Sequence, residues 1–206
     1  MTRPDKGNAA WRQAVAPYRR PAAVPRRGST ALLVIDMQRY FASMAAGILA
    51  NAARLIEGCR DAGIPVLYTR HGHKDPVKDG GMLKEWWDEL ILERGPEAEF
   101  ISEIAPRPGE KVIGKRRYNA FFGTKLDATL RSLGISDLIV AGVMTNLCCE
   151  TTAREAFVRD YRVFFVADAT ATASEELHLA ALRNLAFGFA HVVGAEELLK
   201  AFRPSY

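Results

Sequence analysis

The sequence predicts an α/β protein, doubly wound, with a mainly parallel six-stranded sheet and helices on both faces. Three observations carry this. Short, continuously apolar runs suit strands covered on both sides. These runs alternate with stretches of helical spacing, and strands joined through helices pair in parallel by right-handed crossovers. Gly and Pro mark the junctions, as at Gly63 and Pro65.

In chain order, residues 1–29 form an arm that ends on Pro21, Pro25 and Gly28. Residues 31–35 are apolar throughout and read as the first strand. Residues 48–62 read as a helix, because Leu49, Ala52, Ala53, Ile56 and Cys59 fall on one face. Gly63 stops that helix, and Pro65 introduces a second strand over 66–69. Strand three is short, at 111–114. A helix over 125–133 ends at Gly134, and strand four covers 138–143. Helix 151–158, strand 162–167, helix 175–187, strand 189–193 and a short helix over 196–201 complete the series. No internal repeat interrupts it. About forty residues, 71–110, separate strands two and three, a length typical of lids and binding loops. This segment holds Gly80-Gly81, a hinge or turn, and then Trp86-Trp87. Adjacent tryptophans cannot share one side of a helix, so one is expected in the core and the other on a ligand or a subunit.

Hydrophobic and charged fractions of 49% and 25% are those of an ordinary soluble globule. One domain over 30–206 follows the arm. Three cysteines, Cys59, Cys148 and Cys149, make no disulfide framework, and a reducing cytoplasm is expected. The apolar runs are too short to span a bilayer, and residues 1–30 lack a secretory hydrophobic region. The net charge of +4 is unevenly spread. Arg3, Lys6, Arg12, Arg19, Arg20, Arg26 and Arg27 stand against Asp5 alone in the first thirty residues, which leaves the remainder slightly acidic. No nucleic-acid motif accompanies this charge, so neither nucleic acid nor membrane is an expected partner. The arm is expected to pack along the body or a neighbouring subunit. Neither a Gly-x-Gly-x-x-Gly nor a P-loop pattern occurs, so no nucleotide cofactor is expected.

Doubly wound sheets bind ligands beyond the carboxyl ends of their strands. Asp36 ends the first strand in Leu33-Val34-Ile35-Asp36-Met37-Gln38. Lys115 ends the third. Cys148 follows the fourth, in Met144-Thr145-Asn146-Leu147-Cys148-Cys149, at the start of a helix. A thiol at a helix start is drawn toward thiolate, its reactive form. A carboxylate can take the thiol proton, and an ammonium can stabilise the anion. Each residue alone has an ordinary reading as helix cap, solvated lysine or small core residue. Their coincidence at strand ends is the signal.

Three segments together resemble the isochorismatase-like cysteine hydrolase superfamily. They are 33–38, then Lys115-Arg116-Arg117-Tyr118-Asn119-Ala120-Phe121-Phe122-Gly123-Thr124-Lys125-Leu126, then 142–156. The likeness spans roughly residues 30–200 and implies a Rossmann-type three-layer fold. It implies a triad of Asp36, Lys115 and Cys148. It also implies a non-proline cis peptide between Val143 and Met144, with the backbone N–H groups of Met144 and Cys148 as an oxyanion hole. The implied reaction cleaves a C–N bond of a small amide, ureido or carbamoyl compound through a thioester. Gln38, Phe41, Trp87 and Tyr118 are candidate substrate contacts in or near the matched segments, and Arg117 could pair with a substrate carboxylate. Cys149, usually Val in similar proteins, reads as a small core residue.

Two alternatives stand beside this. True isochorismatases cleave an enol ether, releasing pyruvate, without a cysteine. Proteins of that branch resemble 36–41, 83–87 and 117–122 of this chain but usually carry Gly where Cys148 stands. A catalytically idle binding or assembly member is the other. The resemblance also implies a homo-oligomer, dimer or tetramer, with the Trp segment and the arm as candidate contacts.

The histidines are His71, His73, His178 and His191. Nicotinamidases, relatives within the superfamily, hold a metal through Asp-x-His after the second strand and a further His. Here the region reads Thr69-Arg70-His71-Gly72-His73-Lys74-Asp75, without the matching acid. No metal is expected, which argues against a nicotinamidase. His178 reads as a helix-surface residue, and His191 lies in the last strand.

Overall fold

A computed structural model describes residues 6–21 and 23–202. Arg3 and Asp5 of the arm, and residues 203–206, lie outside the described residues. The strands are β1 (Thr30–Ile35), β2 (Val66–His71), β3 (Lys111–Lys115), β4 (Asp137–Val143), β5 (Arg162–Ala171) and β6 (Ala190–Val193). They form one sheet in the order β3-β2-β1-β4-β5-β6, and every neighbouring pair is parallel. Strand order reverses between β1 and β4, so the ligand crevice of this topology opens beyond their carboxyl ends.

The helices are α1 (Lys6–Val15), α2 (Ala42–Ala45), α3 (Leu49–Asp61), α4 (Pro76–Asp79), α5 (Met82–Trp86), α6 (Leu126–Ser132), α7 (Glu150–Val158), α8 (Glu175–Gly188) and α9 (Ala195–Phe202). Two cores sandwich the sheet, because successive strand residues face opposite sides. Leu33, Ile35 and Val140 pack with Leu130 of α6, Ala153 of α7 and Leu182 of α8. Leu32, Val34 and Ile139 pack with Leu55 of α3 and Leu198 of α9. Among the described residues no helix is long and apolar enough to cross a membrane.

The structure adds three things to the sequence reading. β5 runs to Ala171, with a register shift against β4 between Val140 and Gly142. The long segment after β2 folds into α4 and α5 and is tied back by the bridges His73–Leu92 and Gln38–Phe100. The arm carries α1, whose Trp11 and Val15, four residues apart, are buried in the same core as α8. Three of its positive charges meet acids of the body. Arg12 and Arg19 both bond Glu197, at 2.8 and 2.7 Å. Arg26 pairs with the buried Asp137 at 2.9 Å, which Arg162 also holds.

Gly142 has φ +120°, and a Cβ there would meet the Ile35 carbonyl oxygen at 2.1 Å. Only glycine lets β4 pass so close to β1 at the lip of the crevice.

Trp11→Ala should cost about 3 kcal/mol or more of folding stability, as for a buried aromatic truncation. Urea denaturation measures it, and a loss within about 0.5 kcal/mol, as at a surface site, would show that α1 adds nothing to the core.

Candidate active site

Three strand ends deliver the reactive side chains to one point. Asp36 follows β1 in the left-handed region, φ +50°, and is fully buried. Its backbone N–H donates to Thr69 Oγ1 at 3.1 Å, and that hydroxyl donates to Asp36 Oδ1 at 2.6 Å. Thr69 lies on β2, between the strands that carry Asp36 and Lys115. Lys115 Nζ is 2.7 Å from Asp36 Oδ2, an ion pair off the ideal hydrogen-bond angle. It donates to Cys148 Sγ at 3.3 Å and to the Arg117 carbonyl at 3.0 Å. Burial pulls the Lys115 ammonium down, but Asp36 and Cys148 outweigh it and hold its pKa above the usual lysine value.

Cys148 sits in a wide π-helical turn, Thr145–Cys149, between β4 and α7. The Val143–Met144 peptide is cis. The Met144 carbonyl closes the turn by accepting from Leu147 and Cys149, both at 3.1 Å. Two side chains tether it from outside. Thr145 Oγ1 lies 2.9 Å from His178 Nδ1, and Thr172 Oγ1 donates to Asn146 Oδ1 at 2.6 Å. His178 is therefore a half-buried partner of the turn rather than a helix-surface residue. Cys149 is buried in the core beside α7.

The sequence reading of a thiol drawn toward thiolate is corrected. Burial pushes the Cys148 thiol up to about 12. Lys115 lowers it and Asp36 raises it, so the helix start and the ammonium do not prevail. The site at rest holds an ionised Asp36–Lys115 pair beside a neutral thiol.

A cleft of about 440 Å³ opens over Cys148. Phe41, Trp87, Tyr118, Met144 and His71 line it. Trp87 Nε1 donates to the Tyr118 hydroxyl at 2.7 Å, closing the lid segment onto the loop after β3. Trp86 turns outward, 74% exposed, so neither tryptophan enters the core.

Two expected substrate contacts are corrected. Gln38 is fully buried outside the cleft. Its amide donates to the carbonyls of His71 and Ala98, at 2.9 and 3.1 Å, and accepts from the His71 N–H at 2.8 Å. It locks the ends of β1 and β2 together. Arg117 donates to the carbonyls of Asp79 and Arg116, at 2.9 and 2.7 Å, and lies over Gly81, where a Cβ would come within 2.4 Å of it. Its guanidinium clamps the Gly80-Gly81 turn. The sequence reading missed His71 as a wall of the cleft, having weighed it only as a metal ligand. Its place at the end of β2, the strand between Asp36 and Lys115, was the available signal.

Around His71 and His73 the described residues do not fit a metal. His73 Nδ1 is 3.0 Å from Asp79 Oδ1, which leaves its buried Nε2 without a partner. The neighbouring His71 turns Nδ1 toward the Lys115 ammonium at 3.5 Å, and Arg116 Nε lies 2.9 Å from Asp79 Oδ2. Among the described residues no group of three or more His, Cys, Asp or Glu side chains gathers to hold an ion. A zinc site needs three or four such donors.

Iodoacetamide alkylation of Cys148 should still be accelerating at about pH 10, because its thiol titrates near 12. Asp36→Asn removes a charge that adds to the effect of burial, so this titration should move to lower pH. A plateau near neutrality in the unmodified protein, or an upward move in the variant, would sink this electrostatic account.

An isochorismatase-domain family model matches residues 30–197. The chain is 50% identical over 180 residues to nicotinamidase 3 of Arabidopsis thaliana, covering 86% of this chain and 90% of that protein. It is 36% identical over 203 residues to the ureidoacrylate amidohydrolase RutB of Methylobacterium radiotolerans, covering 82% and 78%. A solved cysteine hydrolase from Pseudomonas syringae pv. phaseolicola 1448A matches with a TM-score of 0.82 at 26% identity, covering 89% of this chain and 98% of that one. With a sheet, a crevice and a family match that agree over nearly the whole chain, this protein belongs to the isochorismatase-like cysteine hydrolase superfamily.

Proposed function

We propose that the protein is a cysteine amidohydrolase that releases ammonia from a small planar primary carboxamide of the nicotinamide type. One observation carries the reading. Cys148 Sγ and Asp36 Oδ2 both contact the buried Lys115 ammonium, at 3.3 and 2.7 Å, at the floor of an aromatic cleft. The 50% identity with a nicotinamidase and the 36% identity with an amidohydrolase support C–N hydrolysis. The missing Asp-x-His motif spoke against a nicotinamidase, but that identity outweighs it.

Asp36 takes the proton of Cys148, and Lys115 pairs with the thiolate that forms. The sulfur attacks the amide carbon, and the backbone N–H groups of Met144 and Cys148 receive the oxyanion. Protonated Asp36 gives its proton to the leaving nitrogen, the C–N bond breaks, and ammonia departs. Asp36 then draws a proton from water, which attacks the thioester. The carboxylic acid leaves, and the proton returns to the sulfur.

The enol-ether reading is the weaker one. Isochorismate carries two carboxylates, yet the cleft lining holds Glu89 and neither Arg nor Lys. Arg117, the cation expected for that role, is bound to backbone carbonyls. An idle scaffold has no need of the buried Asp36–Lys115–Cys148 contact.

Ammonia release should be found on an amide panel that includes nicotinamide, with no pyruvate from isochorismate. Cys148→Ala should lower turnover by about a thousandfold or more. Full turnover in Cys148→Ala, or pyruvate without ammonia, would falsify the reading.

A further inference from the structure

One polar atom of the cleft wall takes no part in acyl transfer. His71 closes β2 and lines the cleft, with 8% of its surface exposed there. Its Nδ1 faces the Lys115 ammonium at 3.5 Å. A cation at that nitrogen selects the tautomer with the lone pair on Nδ1 and the proton on Nε2, an assignment made from the hydrogen-bond network. Burial, and then Lys115, lower the imidazole pKa to about 4, so the ring is neutral near pH 7. No described residue accepts from Nε2.

We propose that His71 is the specificity-determining donor of the cleft, its Nε2–H bonding a pyridine-type ring nitrogen of the carboxamide substrate. The proposal rests on the amidohydrolase reading and names the substrate feature recognised. Cys148 Sγ and His71 Nδ1 lie against the same ammonium, at 3.3 and 3.5 Å. The sulfur and that nitrogen are therefore no more than 6.8 Å apart (3.3 plus 3.5 Å), within the reach of one six-membered ring with its carboxamide. Phe41, Trp87 and Tyr118 supply apolar walls for the ring. A plain benzene ring fills the same space but leaves the Nε2–H without an acceptor. Losing one such bond is worth about tenfold in affinity.

Nicotinamide and benzamide, which differ only at the ring nitrogen, are the probes. Calorimetry on Cys148→Ala should show nicotinamide binding about tenfold tighter. Adding His71→Phe should bring the ratio to about one, and His71→Gln, which keeps an N–H donor, should restore part of it. The protein with Cys148 intact should show the same preference in kcat/KM, unchanged by EDTA.

If His71→Phe weakens both amides equally, His71 acts only through Lys115 and the assignment fails. Equal binding of the two amides by Cys148→Ala overturns it as well. A preference that vanishes on chelation places a metal on the ring nitrogen and also overturns it. If neither amide is hydrolysed while Cys148→Ala still discriminates between them, the hydrolytic reading falls and the His71 assignment stands.

Discussion

The Lys115 ammonium, buried between Asp36 and Cys148, is the constraint on which the rest of the site depends. A cation out of water is stable only with anionic and hydrogen-bonding partners around it. Removing one partner from such a pair typically costs about 3–5 kcal/mol. Lys115 comes from β3, at the sheet edge, while Asp36 ends β1, two strands away. Neighbouring strands lie about 4.8 Å apart, so the side chain must cross the width of β2. Only a long aliphatic stem with a charged tip makes that crossing. On β2, His71 stands in register with Lys115, and Thr69 bonds Asp36. Gln38 then ties the β1 and β2 ends through backbone groups on both sides, which fixes the distance the lysine spans.

The same constraint accounts for the lid. Arg117, two residues beyond Lys115, gives its carbonyl to the ammonium and its guanidinium to the turn at Asp79–Gly81. One short stretch after β3 therefore anchors both the charge at the floor of the cleft and the segment that roofs it. Tyr118, the next residue, accepts from Trp87 and completes the roof. A cation that looks free in sequence is here a structural clamp. The cleft is left without Arg or Lys in its lining, and with aromatic walls, a neutral imidazole and Glu89.

What was legible in the sequence followed periodicity and strand ends. The six strands and their helices stand where alternation and Gly or Pro stops place them, and Asp36, Lys115 and Cys148 meet as their strand ends predict. Properties set by burial were not legible. Gln38 and Arg117 sit in matched segments, but nothing in their neighbours shows that backbone carbonyls take up their donors. The thiol was assigned a charge from its position at a helix start, a local rule, whereas desolvation by the whole fold prevails. The helix in the arm, Lys6–Val15, was hidden because Gly7 and the prolines that flank it at Pro4 and Pro17 read as loop. Trp11 and Val15 at a four-residue spacing were the readable trace, and the acids that pair with Arg12, Arg19 and Arg26, namely Glu197 and Asp137, lie far away in sequence.

A neutral thiol at rest is compatible with a nucleophilic role once the charges are followed together. Lys115 supplies one positive charge, and Asp36 and Cys148 share one negative charge between them. Passing the proton from sulfur to carboxylate moves that negative charge from one side of the ammonium to the other and leaves the total unchanged. No new charge is created in the buried site, so the desolvation penalty that raises the thiol is largely cancelled by the neutralisation of Asp36. The thiol titrates high against bulk water because burial disfavours its charge and Asp36 would then stand beside a second anion. Transfer within the site adds none. A high titration point set by burial and the proposed nucleophilic role of Cys148 are thus compatible, because the ammonium contacts both groups between which the proton would pass.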